Sequence, residues 1–332
     1  MNAERDIGWV LVALALTVIV FGAYVRLSDA GLGCPDWPGC YGRLLVPETE
    51  APVHLENPNW SYRPLEHGKA WREMVHRYLA STLGLGIIVL ALVVFRQGRA
   101  ENRPAAERAI VYLLVPLVVF QGLLGMWTVT LLLKPLVVSA HLLGGLTTLA
   151  LLWWHLLNRL RGPVSEPRAE SATAKWGAFG LALLVFQIFL GGWTSTNYAA
   201  LACTDFPTCH GQWWPQMDFA EAFVLWRGLG VNYEFGVLET PARTAIHYSH
   251  RLGAAVTALV LAAIAIGALR AAAAPLVRSA WCILAALTVQ IGLGITNVLG
   301  GLPLAVAVAH NAVAALLLMS VLALLHAARR YV

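Results

Sequence analysis

Charge is what this sequence has least of. Only 12% of its 332 residues are Asp, Glu, Lys or Arg, whereas 58% are hydrophobic. That scarcity excludes an ordinary soluble domain and leaves an integral membrane protein. No basic run and no platform of stacking aromatics is present, so the sequence pI of 9.1 does not point to nucleic acid. The Lys and Arg residues lie mainly in short segments between apolar runs, where they report orientation. The first apolar run is not followed by a convincing small-residue cleavage site, which argues against a removed signal peptide and predicts a retained helix. Cysteine is scarce too, and four of the five residues fall into two close pairs.

What is present is apolar length. Runs able to cross a bilayer as helices cover residues 9–27, 73–95, 109–131, 136–157, 176–194, 243–269, 279–299 and 304–325. Eight spans put both termini on one side. Taking that side as cytoplasmic places Arg96, Arg103, Arg108, Arg159, Arg168, Lys175, Arg270, Arg278 and Arg330 in short inner segments, as the positive-inside rule expects. The long loops 28–72 and 195–242 then face outward. They carry Trp60, Trp213, Trp214 and Trp226, and the apolar piece 219–225 suits the membrane surface. Residues 162–175, with Pro163, Ser165 and Pro167, look like an inner linker between an N-terminal half, 1–161, and a C-terminal half, 176–332.

The halves are a tandem repeat. Cys34 and Cys203, Cys40 and Cys209, Gln121 and Gln290, and His141 and His310 are each 169 residues apart, and His76 and His250 are 174 apart. One offset shared by several motifs is the mark of duplication. Four spans per half give the repeats the same orientation, so the expected fold is all-α: two tandem four-helix bundles related by a pseudo-twofold axis along the membrane normal.

His76, His141, His250 and His310 fall near the outward ends of the second, fourth, sixth and eighth spans. They share a depth on the order of 6–12 Å below the outer surface. Ionisable groups there are costly and usually functional. A single such histidine is more often a packing residue, but four at repeat-equivalent positions favour paired axial ligands, His76 with His141 and His250 with His310, each pair holding a haem between four helices. Zinc fits less well, because the thiolates sit in the outer loops and Glu73 is the only nearby acid. Arg77 and Arg251 suit the haem propionates, with snorkelling or an i,i+4 pair to Glu73 as the plainer alternatives.

Glu73 is the main difference between the halves, since its repeat equivalent is His247. A carboxylate on the face of His76 could relay a proton or position water. A first-turn acid favoured by the helix dipole is the competing explanation. Cys34 with Cys40, and Cys203 with Cys209, each enclose a proline-containing turn on the oxidising side. They read as local disulfides or, in the first half, as a redox-active pair. Cys282 reads as a small packing residue in the seventh span.

Together these residues resemble the haem A synthases of bacteria and mitochondria. The matching stretches are Gly22-Ala-Tyr-Val-Arg26-Leu27, Gly31-Leu-Gly-Cys34-Pro-Asp-Trp-Pro-Gly-Cys40, Glu73-Met-Val-His76-Arg77, His141, His247-Tyr-Ser-His250-Arg251 and His310. The resemblance covers essentially the whole chain. It implies an enzyme of the cell membrane that oxidises the C8 methyl of haem O to a formyl group by successive hydroxylations, making haem A for terminal oxidases. It further implies substrate haem O between His76 and His141, with Glu73 catalytic, and haem b between His250 and His310. Expected partners are haem O, membrane lipid, the haem O-forming farnesyltransferase and cytochrome oxidase assembly factors, with no nucleic acid. Small-residue stretches such as Gly144-Gly145 also allow a homo-oligomer. The rival readings are a dihaem cytochrome oxidising quinol, with two permanent haems, and a haem carrier that releases its cargo unchanged.

Overall fold

The computed structural model describes residues 2–49, 63–100, 105–161 and 172–331. Among them are eight long helices: α1 Asn2–Leu27, α2 His67–Ala100, α3 Ala105–Thr130, α4 Pro135–Arg161, α5 Ala172–Thr196, α6 Thr240–Ala268, α7 Ala274–Leu299 and α8 Leu304–Tyr331. Each is long and apolar enough to cross a membrane. The described residues contain no strand, and the apolar piece 219–225 supplies a single helical turn at Phe219–Ala222. Trp60, Arg103, Arg168 and the linker residues Pro163, Ser165 and Pro167 lie outside the described residues.

The helices run past the apolar stretches that announce them. The first turn of α2 is polar: the N–H groups of Lys69 and Ala70 both donate to the Glu66 carbonyl, at 2.9 and 3.0 Å, so the helix starts ahead of its apolar run. Glu73 therefore sits in the second turn of α2 rather than the first, which removes the helix-dipole explanation for it. Helix α5 begins at Ala172, so the last residues of the expected linker are already helical.

Within the first half α1 packs on α2 and α4, and α3 closes the ring between α2 and α4. Within the second half α5 packs on α6 and α8, and α7 closes that ring. Contacts of α1 with α8, α4 with α5 and α4 with α8 join the halves, so the pattern repeats when the halves are exchanged. One continuous core runs through all eight helices, built on residues such as Leu11, Ile87, Leu114 and Leu152 in the first half and Leu261, Ile283 and Leu318 in the second. These occupy the ends of the helices nearer the termini. In lipid, close packing rather than water release holds such helices together. Val10, Leu113, Leu259 and Trp281 stay exposed on the outside, as lipid-facing residues do. Cys282 is also exposed on α7, so it is not the interior packing residue expected from its apolar surroundings.

At the other end of the bundles the outer loops lock the halves together. Arg63 donates two parallel hydrogen bonds to Glu234, at 3.0 and 2.9 Å, and a third to the Leu32 carbonyl at 2.5 Å. The Tyr233 N–H donates to the Leu132 carbonyl at 3.0 Å, and Tyr233 is buried with Leu32, Val129 and Leu133. Arg26 donates to the Ser195 carbonyl, its own repeat-equivalent position, at 2.7 Å.

Candidate functional site

The leucine-rich core fills one end of each bundle; histidine and glycine share the other. His76 on α2 and His141 on α4 stand on diagonally opposite helices of the first ring, and α1 and α3 on the other diagonal meet them with glycines. A Cβ at Gly22 would lie 2.8 Å from His76 Cε1, and one at Gly125 would lie 3.4 Å from His141 Cε1. The second half repeats this. A Cβ at Gly191 would lie 3.1 Å from His250 Cε1, and one at Gly294 would lie 3.3 Å from His310 Cε1. The glycines obey the same 169-residue offset, Gly22 with Gly191 and Gly125 with Gly294. Glycine is used where another group must come close to the backbone, and here it seats four imidazoles. These glycines escape a reading that tracks only ionisable residues, although their spacing was available.

The imidazoles suit a porphyrin. Among the described residues no group of three or more His, Cys, Asp or Glu side chains could hold a bare metal ion. A haem brings four nitrogens of its own and needs only two axial ligands. Nδ1 of His76, His141 and His310 is buried without a hydrogen-bond partner, a costly state for an imidazole serving only as packing.

The halves differ in how these rings are held. Gln187 of α5 donates through Nε2 to His250 Nδ1 at 2.9 Å and to the His250 carbonyl at 3.0 Å. Its repeat equivalent is Val18, so His76 receives no such support. Gln290 reaches His310 Nε2 at 3.1 Å. Its equivalent, Gln121, packs instead against Gly144, where a Cβ would lie 1.6 Å from its Nε2. The second half has Val313 at that position. A glycine in one half and a valine in the other thus send the same glutamine to different places.

Glu73 lies three residues before His76 and is 5% exposed. One carboxylate oxygen accepts the Cys34 N–H at 2.9 Å, and the other accepts from Arg77 Nη2. Arg77 Nη1 is directed at the carbonyls of Asp36, Pro38 and Gly39, at 3.0, 3.1 and 2.6 Å. The loop reaches Glu73 because Gly33 passes hard against α2: a Cβ there would lie 2.6 Å from the Lys69 carbonyl carbon. Cys34 and Cys40 are disulfide-bonded, as are Cys203 and Cys209. In the second loop the Cys203 N–H points at His247 Nδ1, 3.3 Å away, and Arg251 Nε at His247 Nε2, 3.2 Å away. Arg251 also donates to the carbonyls of Thr208 and Cys203, at 2.8 and 3.1 Å. A neutral imidazole has one acceptor nitrogen, so His247 satisfies only one of its two donors, whereas the Glu73 carboxylate satisfies both.

Each expected site residue thus finds a place. The four histidines sit at the glycine-lined ends of the bundles, Glu73 and His247 occupy equivalent positions beneath the disulfide loops, and Arg77 and Arg251 clamp those loops.

Comparison with known proteins adds an independent line. Residues 5–322 match the COX15-CtaA family model, described as cytochrome oxidase assembly protein. A Shewanella oneidensis protein named haem A synthase is 42% identical over 316 residues, covering 94% of this chain and 93% of its own. Proteins of the same name from Agrobacterium fabrum and Caulobacter vibrioides are 30% and 28% identical. They cover 93% of this chain each, and 85% and 91% of their own lengths.

Proposed function

The chain belongs to the COX15-CtaA family, and from that premise we propose that it is a haem A synthase, oxidising the C8 methyl of haem O to a formyl group. Two successive hydroxylations at that carbon, each a two-electron oxidation by an external oxidant that inserts one oxygen atom, give a geminal diol, and loss of water leaves the aldehyde. The observation that carries this reading is the asymmetry of two otherwise matching sites: a buried carboxylate, Glu73, stands beside one histidine pair only.

The first half, 1–161, binds substrate haem O between His76 and His141. The second half, 176–332, joined through 162–175, holds haem b between His250 and His310. When bound there, haem b supplies one-electron redox chemistry to the neighbouring half. Glu73 is the catalytic group. Fixed by Cys34 N–H and Arg77, its carboxylate takes up a proton or positions water beside the reacting carbon. Arg77 and Arg251 stand at the outer rim, where a guanidinium also suits a propionate. Both termini lie in the cytoplasm and the disulfide loops outside the cell membrane. The haem O-forming farnesyltransferase is the source of substrate, and cytochrome oxidase assembly factors receive the product.

The test is co-expression with a haem O-forming farnesyltransferase in a host lacking haem A, followed by extraction and mass-resolved chromatography of the haems. Haem A, or its C8 hydroxymethyl precursor, is expected only when this chain is present. Haem O and haem b alone, with the protein well expressed and both sites filled, would replace catalysis by electron transfer or haem carriage.

A further inference from the structure

Each disulfide loop runs straight into a pair of uncovered apolar side chains. Cys40 and Arg43 exchange two backbone hydrogen bonds, at 2.7 and 3.2 Å, and Leu44 and Leu45 follow at once. Cys209 and Gln212 do the same at 2.9 and 3.1 Å, and Trp213 and Trp214 follow. The two pairs obey the 169-residue offset. All four residues are between 63% and 79% exposed, an arrangement that water disfavours and that marks a surface meant for contact.

Their height along the bundle identifies what they contact. The Tyr78 hydroxyl of α2 donates to the Leu44 carbonyl at 2.5 Å, and the Tyr248 hydroxyl of α6 donates to the Trp213 carbonyl at 2.7 Å. Each tyrosine stands five residues inside its apolar run, 73–95 or 243–269, roughly 7–8 Å along the helix axis. Helical side chains lean back toward the helix start, so these hydroxyls, and the carbonyls bound to them, lie level with the first residues of the runs. Each tyrosine is also two residues from the histidine of its helix and therefore points to the opposite side. The tips thus hang down the outside of the bundles, away from the histidine sites. The two tyrosines are not counterparts: Tyr248 corresponds to buried Met74, and Tyr78 to Leu252. One tether to one carbonyl is built twice from different residues, so the height of the tips is a property that the fold maintains in both halves.

We propose that both tips are inserted into the outer leaflet of the bilayer and anchor the disulfide loops there. The assignment is independent of the reaction served by the histidine sites. Lipid is the occupant because the tips sit where the apolar spans begin. The helix faces beneath them also continue as exposed Leu85 and Leu252, the surface that the spans turn to lipid. Trp214 meets the Tyr248 ring edge-on, with centroids 5.5 Å apart, and an amphipathic indole suits the headgroup level. The leucine pair presents purely apolar side chains at the same boundary. Each anchored loop carries a cysteine amide that reaches a site residue, Cys34 N–H to Glu73 and Cys203 N–H toward His247. The membrane therefore holds both loops down against their helices.

The test uses the full chain with Cys282→Ala, which leaves no free thiol because the other four cysteines are disulfide-bonded. Leu45→Cys, Trp214→Cys and, as a water-exposed reference, Glu239→Cys just ahead of α6 are each spin-labelled. In phospholipid vesicles, paramagnetic resonance reads collisions of the label with oxygen, which concentrates in lipid, and with a nickel chelate confined to water. The expected oxygen-to-nickel ratio in Leu45→Cys and Trp214→Cys is at least threefold above that of the Glu239→Cys reference. A ratio equal to the reference puts the tips in water and overturns the proposal. Low accessibility to both reagents, the mark of a second copy of the chain or another protein seated on the tips, overturns it as well. Should either labelled variant fail to give monodisperse protein, Leu44→Cys and Trp213→Cys are read in the same way.

Discussion

The two halves share one frame and differ in what the frame holds. In each, a disulfide loop lies over the outer end of a four-helix ring, an arginine one turn further along the helix clamps the loop, and the cysteine amide points at the side chain before the first histidine. In the first half that side chain is Glu73, and in the second it is His247. The first site has a buried carboxylate and an unsupported His76. The second has a glutamine on each histidine. Residues that orient a metal ligand through its second nitrogen or neighbouring groups strengthen its hold on the metal. Support for both second-half histidines fits a haem that stays, and its absence at His76 fits one that must leave as product.

The largest effect tests which half keeps its haem. His250→Ala is expected to abolish the resident haem b signal of the purified protein, while His76→Ala keeps a full complement of it. A full complement in His250→Ala would break the assignment of the halves, whatever the activity. Next comes Glu73→Gln, which keeps both the size of the side chain and an oxygen for the Cys34 N–H. It is expected to retain resident haem and to lower haem A formation on the order of 10²-fold, the scale of a lost general acid–base group. Glu73→His, which makes the first half resemble the second, should be no more active. Normal turnover in either variant would take Glu73 out of the mechanism.

A smaller effect concerns the contact between halves. Arg63 and Glu234, with side chains 21% and 12% exposed, form a two-pronged pair from one outer loop to the other. A double-mutant cycle on thermal unfolding, using Arg63→Ala and Glu234→Ala, is expected to give a coupling of about 1 kcal/mol, near the upper end for partly exposed pairs. Zero coupling would mean that Tyr233 and its apolar neighbours hold the loops together without the charges.

How much of this was legible beforehand follows from the kind of signal each feature leaves. Eight apolar runs and a repeated offset are properties of the sequence alone, and the helices and the paired histidines followed from them. Helix starts were less legible. The first turn of α2 is polar and looks like loop until its backbone closes onto Glu66, and that shift changed the explanation of Glu73. The two destinations of Gln121 and Gln290 depend on Gly144 and Val313 of a facing helix. No local pattern records them, because they arise where distant segments meet.

The smallest difference lies within the disulfide loops. In the first, Asp36 accepts the N–H groups of Tyr41 and Gly42 at 2.6 and 2.8 Å. In the second, Asp205 accepts those of His210 and Gly211 at 2.7 and 2.9 Å, and also the Thr208 hydroxyl at 2.6 Å, where the first half has Gly39. The Thr208 hydroxyl, followed by the Gly211 and His210 amides, holds the Asp205 carboxyl well below the usual carboxylate range. Because the folded pKa is depressed, the bonds to Asp205 contribute fully above the unfolded value of about 3.9 and are lost only as pH falls through the lower folded value. Thr208→Ala removes the largest cause of the depression, so the second loop should open at a higher pH, by less than about one unit. Hydrogen exchange of the His210 and Gly211 amides, followed as the pH is lowered from 4 to 1, would measure this. An identical acid profile in the variant would mean that the two backbone donors suffice, and that the loops of the halves are equivalent in acid despite the extra hydroxyl.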